Sequence, residues 1–211
     1  MSRSTQRIPK LRTRGRENRR KLLREAQRLM LENNGAPLKF SDVFEAAGVS
    51  RGSAYRIYIG IDDLLQDIAA AWVNDFVEHL GDFRPQQQPR SWIQLSDGIV
   101  ASGADFWDKT SDTLRLLPRI RSREPAKYRE AVRSMSQCLV DIFDQHFVVP
   151  DIPHWSHKLG FYTEICDTTF ADAVRTEGTI SEARLNEAQT LCRTYLGFHL
   201  PDRLPVREQV V

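Results

Sequence analysis

The residues best suited to chemistry lie in one short polar segment, at positions 50–58. They are small, cationic or phenolic: Ser50, Arg51, Gly52, Ser53, Tyr55, Arg56 and Tyr58. Hydroxyl and guanidinium groups bind phosphate oxygens, and arginine also makes paired hydrogen bonds to the edge of guanine. The segment is therefore suited to binding nucleic acid.

A helix-turn-helix is the element that would position these side chains, and residues 40–59 have about its length. Apolar residues suited to the inner faces of its two helices are Val43, Ala47, Val49 and Ile57. Gly48 stands at the turn, which requires a positive φ that glycine adopts without penalty. The second helix would then enter the major groove with its N-terminal end first.

The run EAAGVSRGSAYR at residues 45–56, followed by Asp62-Asp63-Leu64-Leu65, resembles the DNA-binding domain of TetR-family transcriptional regulators. The resemblance covers about residues 16–80. It implies a basic first helix and a recognition helix from which four side chains face DNA: Arg51, Ser53, Tyr55 and Arg56. It also implies that Tyr55 contacts a phosphate, although from the residues alone this ring could instead pack against the first helix. We add Arg19 and Ser41 to the expected DNA-contacting residues.

Three departures from the family pattern accompany this resemblance. Ile61 stands where a phosphate-binding lysine is usual, and Ile57 where an aromatic residue or histidine is common. Phe44 stands where a small residue is usual, and Ala54 where a leucine is usual. We expect the two side chains to face each other, so that the Phe44 ring fills the space that Ala54 leaves. Basic residues near the N-terminus would compensate electrostatically for the lost polar contacts: Arg7, Lys10, Arg12, Arg14 and Arg19.

The charge of the chain is divided unevenly. Residues 1–60 carry 14 Lys and Arg against 5 Asp and Glu, whereas residues 61–211 carry 16 against 23. This division indicates that only the N-terminal end meets a polyanion, and it argues against an architectural protein that coats DNA. The longest apolar run, residues 68–73, is too short to span a membrane, so we expect a cytoplasmic protein without a membrane partner. The cysteines are expected to be reduced core residues: Cys138, Cys166 and Cys192.

The hydrophobic spacing predicts an all-α fold: an N-terminal helix-turn-helix DNA-binding domain followed by a larger helical ligand-binding and dimerisation domain. We expect a flexible basic arm over residues 1–15, the DNA-binding domain over 16–60, a connecting helix over 61–83 and the effector domain over 91–200. The effector domain should contain five helices, at about 91–107, 111–121, 125–147, 154–177 and 181–198.

The second domain is expected to hold a small effector, apolar or aromatic, and to form a homodimer through residues 154–198. Residues placed to line its pocket are Phe106, Trp107, Leu116, Met135, Leu139, Phe143, Phe161 and Ile165. Apolar stripes on the last two helices would join the two copies, or alternatively close the monomer core: Leu159, Tyr162, Cys166, Phe170, Ala173, Leu185, Ala188, Cys192 and Tyr195. A two-fold dimer would bind a palindromic operator, and we expect a repressor that the effector releases.

The sequence offers residues for two other chemistries. His154 and His157, with Asp151 close by, have a spacing that could hold a metal, although a solvated loop is commoner and no metal or cofactor is expected. A helical enzyme acting on a small apolar metabolite is the alternative function. We do not expect an enzyme, because the sequence has no glycine-rich phosphate loop, no nucleophile elbow and no His-Glu-x-x-His motif.

Overall fold

The computed structural model describes residues 13–33, 36–109 and 126–207, and in that part of the chain it has eight α-helices and no β-strand. The helices are α1 (Thr13–Glu32), α2 (Phe40–Ala46), α3 (Arg51–Ile57), α4 (Ile61–Gly81), α5 (Trp92–Lys109), α6 (Ala126–His146), α7 (Trp155–Glu177) and α8 (Glu182–Gly197). The all-α prediction is confirmed. The expected helix over 111–121 and the arm over 1–12 lie outside the described residues, but residues 13–15 belong to α1 and not to an arm. No described helix is long and apolar enough to cross a membrane.

The chain divides into two compact units, with the boundary between Ile68 and Ala69 inside α4. In the first unit, α1 packs against both α2 and α3. Its buried residues recur every fourth position, at Leu22, Ala26 and Met30, so that one stripe of α1 faces the core. The other buried apolar side chains of that core are Phe40, Val43, Val49, Ala54, Tyr58, Leu64 and Ile68. Because α2 and α3 are too short to be stable alone, this burial holds them in place.

In the second unit, α7 packs against both α6 and α8, and α5 packs against α8. The approach of α6 and α7 is close: a Cβ added at Gly160 would lie 2.8 Å from the Ser136 hydroxyl oxygen. The C-terminal segment is tied back to the helices, because the indole Nε1 of Trp92 donates to Pro201 O at 2.9 Å. Arg207 N also donates to His146 O at 2.8 Å. These contacts join the C-terminal segment to the helices of the second unit.

We expect the second unit to lose stability as the pH falls through His146's titration. His146 is buried, and its Nδ1 has no hydrogen-bond partner among the described residues. Burial, and then the charge of Arg84, lower the pKa of His146 below its ordinary value of 6.5. The unfolded chain therefore binds a proton at a higher pH than the folded chain, so this contribution is present above pH 6.5 and is lost below it. Denaturant unfolding measures the free energy of unfolding at pH 7 and at pH 5. The loss of free energy between the two pH values should be smaller for His146→Leu than for the wild type, and equal losses would contradict the prediction.

Candidate nucleic-acid interface

The turn between α2 and α3 has the backbone that the sequence predicts. Gly48 has a φ of +62°, and a Cβ added there would meet no atom within 4 Å. The requirement for glycine is therefore conformational, because the space itself would admit a side chain. The turn is closed by Val49 N, which donates to Phe44 O at 2.9 Å. Ser50 then occupies the N-cap of α3.

Helix α3 exposes one face and buries the other. Arg51, Gly52, Tyr55 and Arg56 are exposed, whereas Ala54 is completely buried. The exposed side chains are held by contacts on their own helix. Arg56 Nε donates to Gly52 O at 3.1 Å, the Ser50 and Ser53 hydroxyl oxygens lie 3.0 Å apart, and the Arg51 guanidinium carbon is 5.7 Å from the centre of the Tyr55 ring. Five of the expected DNA-contacting residues therefore share the accessible N-terminal part of α3, with Arg56 next to them.

Tyr55 both packs and remains accessible. Its ring meets two rings of α2 edge-on, with centroids 5.2 Å from Phe40 and 6.3 Å from Phe44. The side chain is nevertheless 48% exposed. The ring contacts are therefore with α2, where the sequence analysis gave the first helix as the alternative partner, and part of the side chain reaches solvent. The same contacts place the Phe44 ring against Tyr55, and the expected pairing of Phe44 with Ala54 stays a prediction.

Tyr58 occupies a different place from the one expected. It is only 2% exposed, and its hydroxyl donates to Asp67 Oδ2 at 2.8 Å. Burial and the neighbouring Asp67 raise the pKa of this phenol. Arg19 donates to the same carboxylate oxygen, from Nε at 3.0 Å and from Nη2 at 2.6 Å. We therefore withdraw Tyr58 from the candidate DNA contacts and assign Arg19 to this internal network, which fastens α1 and the end of α3 to α4.

The remaining polar candidates lie on α1 and α2. Ser41 is half-buried near the start of α2, and its hydroxyl donates to Asp42 Oδ1 at 3.0 Å. On α1, Arg14, Arg20 and Lys21 are exposed. These three cations make part of the surface of α1 positive. The basic residues Arg7, Lys10 and Arg12 lie outside the described residues.

The second unit encloses a cavity of about 20 Å³, room for roughly one water molecule. Trp107 and Leu139 line it, as expected. Its other described lining residues come from α4, α5 and α7: Phe76, Leu80, Ile99, Val100, Gly103, Tyr162, Thr163, Cys166, Asp167 and Phe170. A wider groove of about 650 Å³ lies at the surface beside the connection between α4 and α5, and none of the described residues of the predicted pocket lines it.

The other residues of the predicted pocket lie elsewhere. Met135 and Phe143 are buried in the core of the second unit, Phe106 and Ile165 are half-buried, and Leu116 lies outside the described residues. Phe161 is 50% exposed, so its assignment to an internal pocket is corrected. Its ring instead packs on Tyr195 at the surface, with centroids 5.3 Å apart.

The α7 stripe that the sequence analysis assigned to a dimer interface is buried within the unit itself. Tyr162, Cys166 and Phe170 line the cavity, and Cys166 Sγ lies 3.2 Å from Cys192 Sγ. The outward side of α7 is thus displaced by one residue from the one expected, since Phe161 is exposed and Ile165 half-buried, whereas Tyr162 and Cys166 are buried. Other members of the two predicted stripes are buried as well: Leu159, Ala173, Ala188 and Cys192. These side chains close the core of the second unit.

Among the described residues, no three His, Cys, Asp or Glu side chains are grouped so that they could hold a metal ion. His154 is the residue preceding α7, and it has a left-handed backbone with a φ of +59°. Its position is accordingly that of a helix-start residue.

Solved structures of TetR-family regulators have a fold similar to that of this chain. A TetR-family transcriptional regulator from Streptomyces coelicolor matches over 87% of this chain and 99% of its own, with a TM-score of 0.65 and 18% identity. A TetR regulator from Rhodococcus sp. RHA1 matches over 87% and 97%, with a TM-score of 0.65 and 12% identity. The R. erythropolis transcriptional repressor QsdR, from the TetR family, matches over 92% and 98%, with a TM-score of 0.55 and 17% identity. No protein-family model and no curated protein matches the sequence.

Proposed function

We propose, from the TetR-family fold that this chain has, that it is a transcriptional regulator that binds double-stranded DNA through α3. The observation that carries the proposal is the two-sided character of α3 after the Gly48 turn. Ala54 anchors one side in the core, while Arg51, Tyr55 and Arg56 are presented on the other. A rigidly supported helix with cations at its accessible end is the arrangement that reads base edges in the major groove.

The DNA contacts divide by chemistry. Arg51 and Arg56, which are exposed on α3, are assigned to base edges, where a guanidinium discriminates guanine through two acceptors. Ser50, Ser53 and the hydroxyl of Tyr55 are assigned to phosphate oxygens, as is the positive surface of α1. Backbone contacts of that kind position the protein on any sequence, so the arginines of α3 carry the specificity.

The surface of α7 and α8 supports a two-fold dimer, but through different residues from the predicted stripes. Three large apolar side chains are substantially exposed there: Phe161 by 50%, Leu191 by 46% and Phe198 by 81%. Exposed apolar side chains grouped on adjacent helices are a mark of a protein interface. A closed two-fold assembly presents two recognition helices, and its operator is therefore palindromic.

We further infer that a small effector of aromatic or apolar class enters the second unit at this cavity. Phe76, Trp107 and Phe170 give it an aromatic wall. At about 20 Å³ the cavity is too small for a metabolite, so an effector must displace side chains as it enters. We propose that this displacement causes the protein to release DNA. We also propose that the protein is a repressor, as the structurally similar QsdR is.

The test of this function is selection from a pool of random double-stranded DNA. The full chain should enrich an inverted repeat, and its affinity should fall steeply with salt concentration because phosphate contacts release counterions. The variant Arg51→Ala should lose discrimination at defined base pairs, each worth about 1–3 kcal/mol. Arg175→Ala, at an exposed arginine of α7, is the matched control and should select the same sequence. Failure to enrich any sequence would overturn the proposed function.

A further inference from the structure

Three aromatic rings form a cluster on the surface that α2 and α3 share. Phe40 and Phe44 are one helical turn apart on α2, with ring centroids separated by 5.6 Å and planes at 89°. The ring of Tyr55 lies 5.2 Å from that of Phe40, at 85°, and 6.3 Å from that of Phe44, at 60°. We call these three residues the aromatic cluster. Every pair in it has an edge-to-face arrangement, which the ring quadrupoles favour.

Burial within the aromatic cluster is graded. Phe40 is 6% exposed, Phe44 is half-buried, and Tyr55 is 48% exposed. Phe40 belongs to the core of the first unit, and it therefore has a packing role of its own. Phe44 is different, because its ring lies between the core and the exposed face of α3, where its ring partners are Phe40 and Tyr55.

The Tyr55 ring in turn contacts the Arg51 guanidinium. The Arg51 guanidinium carbon stands 5.7 Å from the centre of the Tyr55 ring, within the range of a cation–π interaction. Arginine has many rotamers on an exposed helix face, and ordering it on DNA costs conformational entropy. A ring held from behind by Phe40 and Phe44 offers the guanidinium a fixed surface before DNA arrives.

We propose that Phe44 is a positioning residue for DNA binding, holding the Tyr55 ring, and through it the Arg51 guanidinium, in the orientation that meets DNA. The inference rests on the proposed function and deepens it by naming the support of the recognition surface. It assigns to Phe44 no contact with DNA. Its effect on affinity must therefore pass through Tyr55, whereas a residue that only packed α2 on α3 would act whether or not the Tyr55 ring were present.

A double-mutant cycle on DNA affinity tests whether the effect of Phe44 depends on the Tyr55 ring. Phe44→Ala should weaken binding of the full chain to its selected DNA by about five- to tenfold, with a loss of preference at the base pairs that Arg51 reads. In a Tyr55→Ala background the same substitution should change the affinity by less than twofold. Equal losses in both backgrounds, or no loss in the otherwise native chain, would overturn the proposal. Ile59→Ala removes an apolar side chain that is 88% exposed in the same unit, and it is the control that should change nothing.

A second measurement keeps the proposal testable if Phe44→Ala unfolds the first unit. Phe44→Leu retains apolar volume but removes the ring edge, and its folding is checked by thermal denaturation. NMR relaxation of the Tyr55 ring in the DNA-free protein should show greater motion in Phe44→Leu than in the native chain, and unchanged motion would overturn the proposal. If the native chain selects no DNA, the proposed function fails and this inference with it. If it selects DNA and the cycle is additive, only the role of Phe44 fails.

Discussion

Replacing Asp67 by alanine is expected to lower the unfolding free energy of the first unit by about 2–3 kcal/mol. The carboxylate accepts hydrogen bonds from the Tyr58 hydroxyl and from Nε and Nη2 of Arg19. Its removal leaves the Tyr58 hydroxyl buried without this acceptor, at 2% exposure. The Arg19 side chain is 46% exposed and regains water, so its share of the loss is the smaller one. Denaturant unfolding followed by circular dichroism measures the change.

Two further variants separate the loss of these hydrogen bonds from the effect of removing any aspartate of α4. Tyr58→Phe in the Asp67→Ala background should recover part of the loss, because removing both members of a buried hydrogen bond costs less than removing one. Asp75→Ala replaces an exposed aspartate on the same helix and should leave stability within about 0.5 kcal/mol of the native value. A loss at Asp67 no larger than that at Asp75 would show that the network contributes nothing to folding.

The largest functional effect is expected from charges placed on the exposed apolar surface of α7 and α8. The double variant Phe161→Glu with Leu191→Glu should be monomeric, because a dimer would bury two carboxylates on each copy without partners. Its affinity for an inverted repeat should fall by about 100-fold or more, since two linked recognition helices gain by effective concentration and single ones do not. Its affinity for a single half-site should be unchanged.

Sedimentation equilibrium measures the state of assembly. Fluorescence anisotropy measures the affinity for the inverted repeat and for the single half-site. Ile93→Glu, at an exposed apolar residue of α5, is the matched control and should leave both the assembly and the DNA affinity unaltered. A double variant that stays dimeric would move the interface away from Phe161 and Leu191. A native chain that binds the inverted repeat as a monomer would remove the dimer from the proposed function.

The sequence by itself determined the local features, because each depends on neighbours only a few residues away. Helix boundaries followed from apolar spacing and from breaks at glycine and proline. The left-handed Gly48 between α2 and α3 followed from the same local chemistry, as did the exposure of Arg51 and Arg56 on the helix that Ser50 begins. No longer-range contact was needed to place any of them, which is why the motif could be predicted as a whole.

Only the tertiary structure decided which long-range partners these side chains have. Arg19 and Asp67 are 48 residues apart, and nothing near either residue indicates that they meet, so Arg19 and Tyr58 could be taken for DNA contacts. Periodicity shows which residues of α7 share a face, but Phe161 and Ile165 form one apolar stripe and Tyr162 and Cys166 another. Which stripe turns inward depends on the shape that α5, α6 and α8 offer, and that shape is a property of the packed unit. Spacing along one helix contains no information about it.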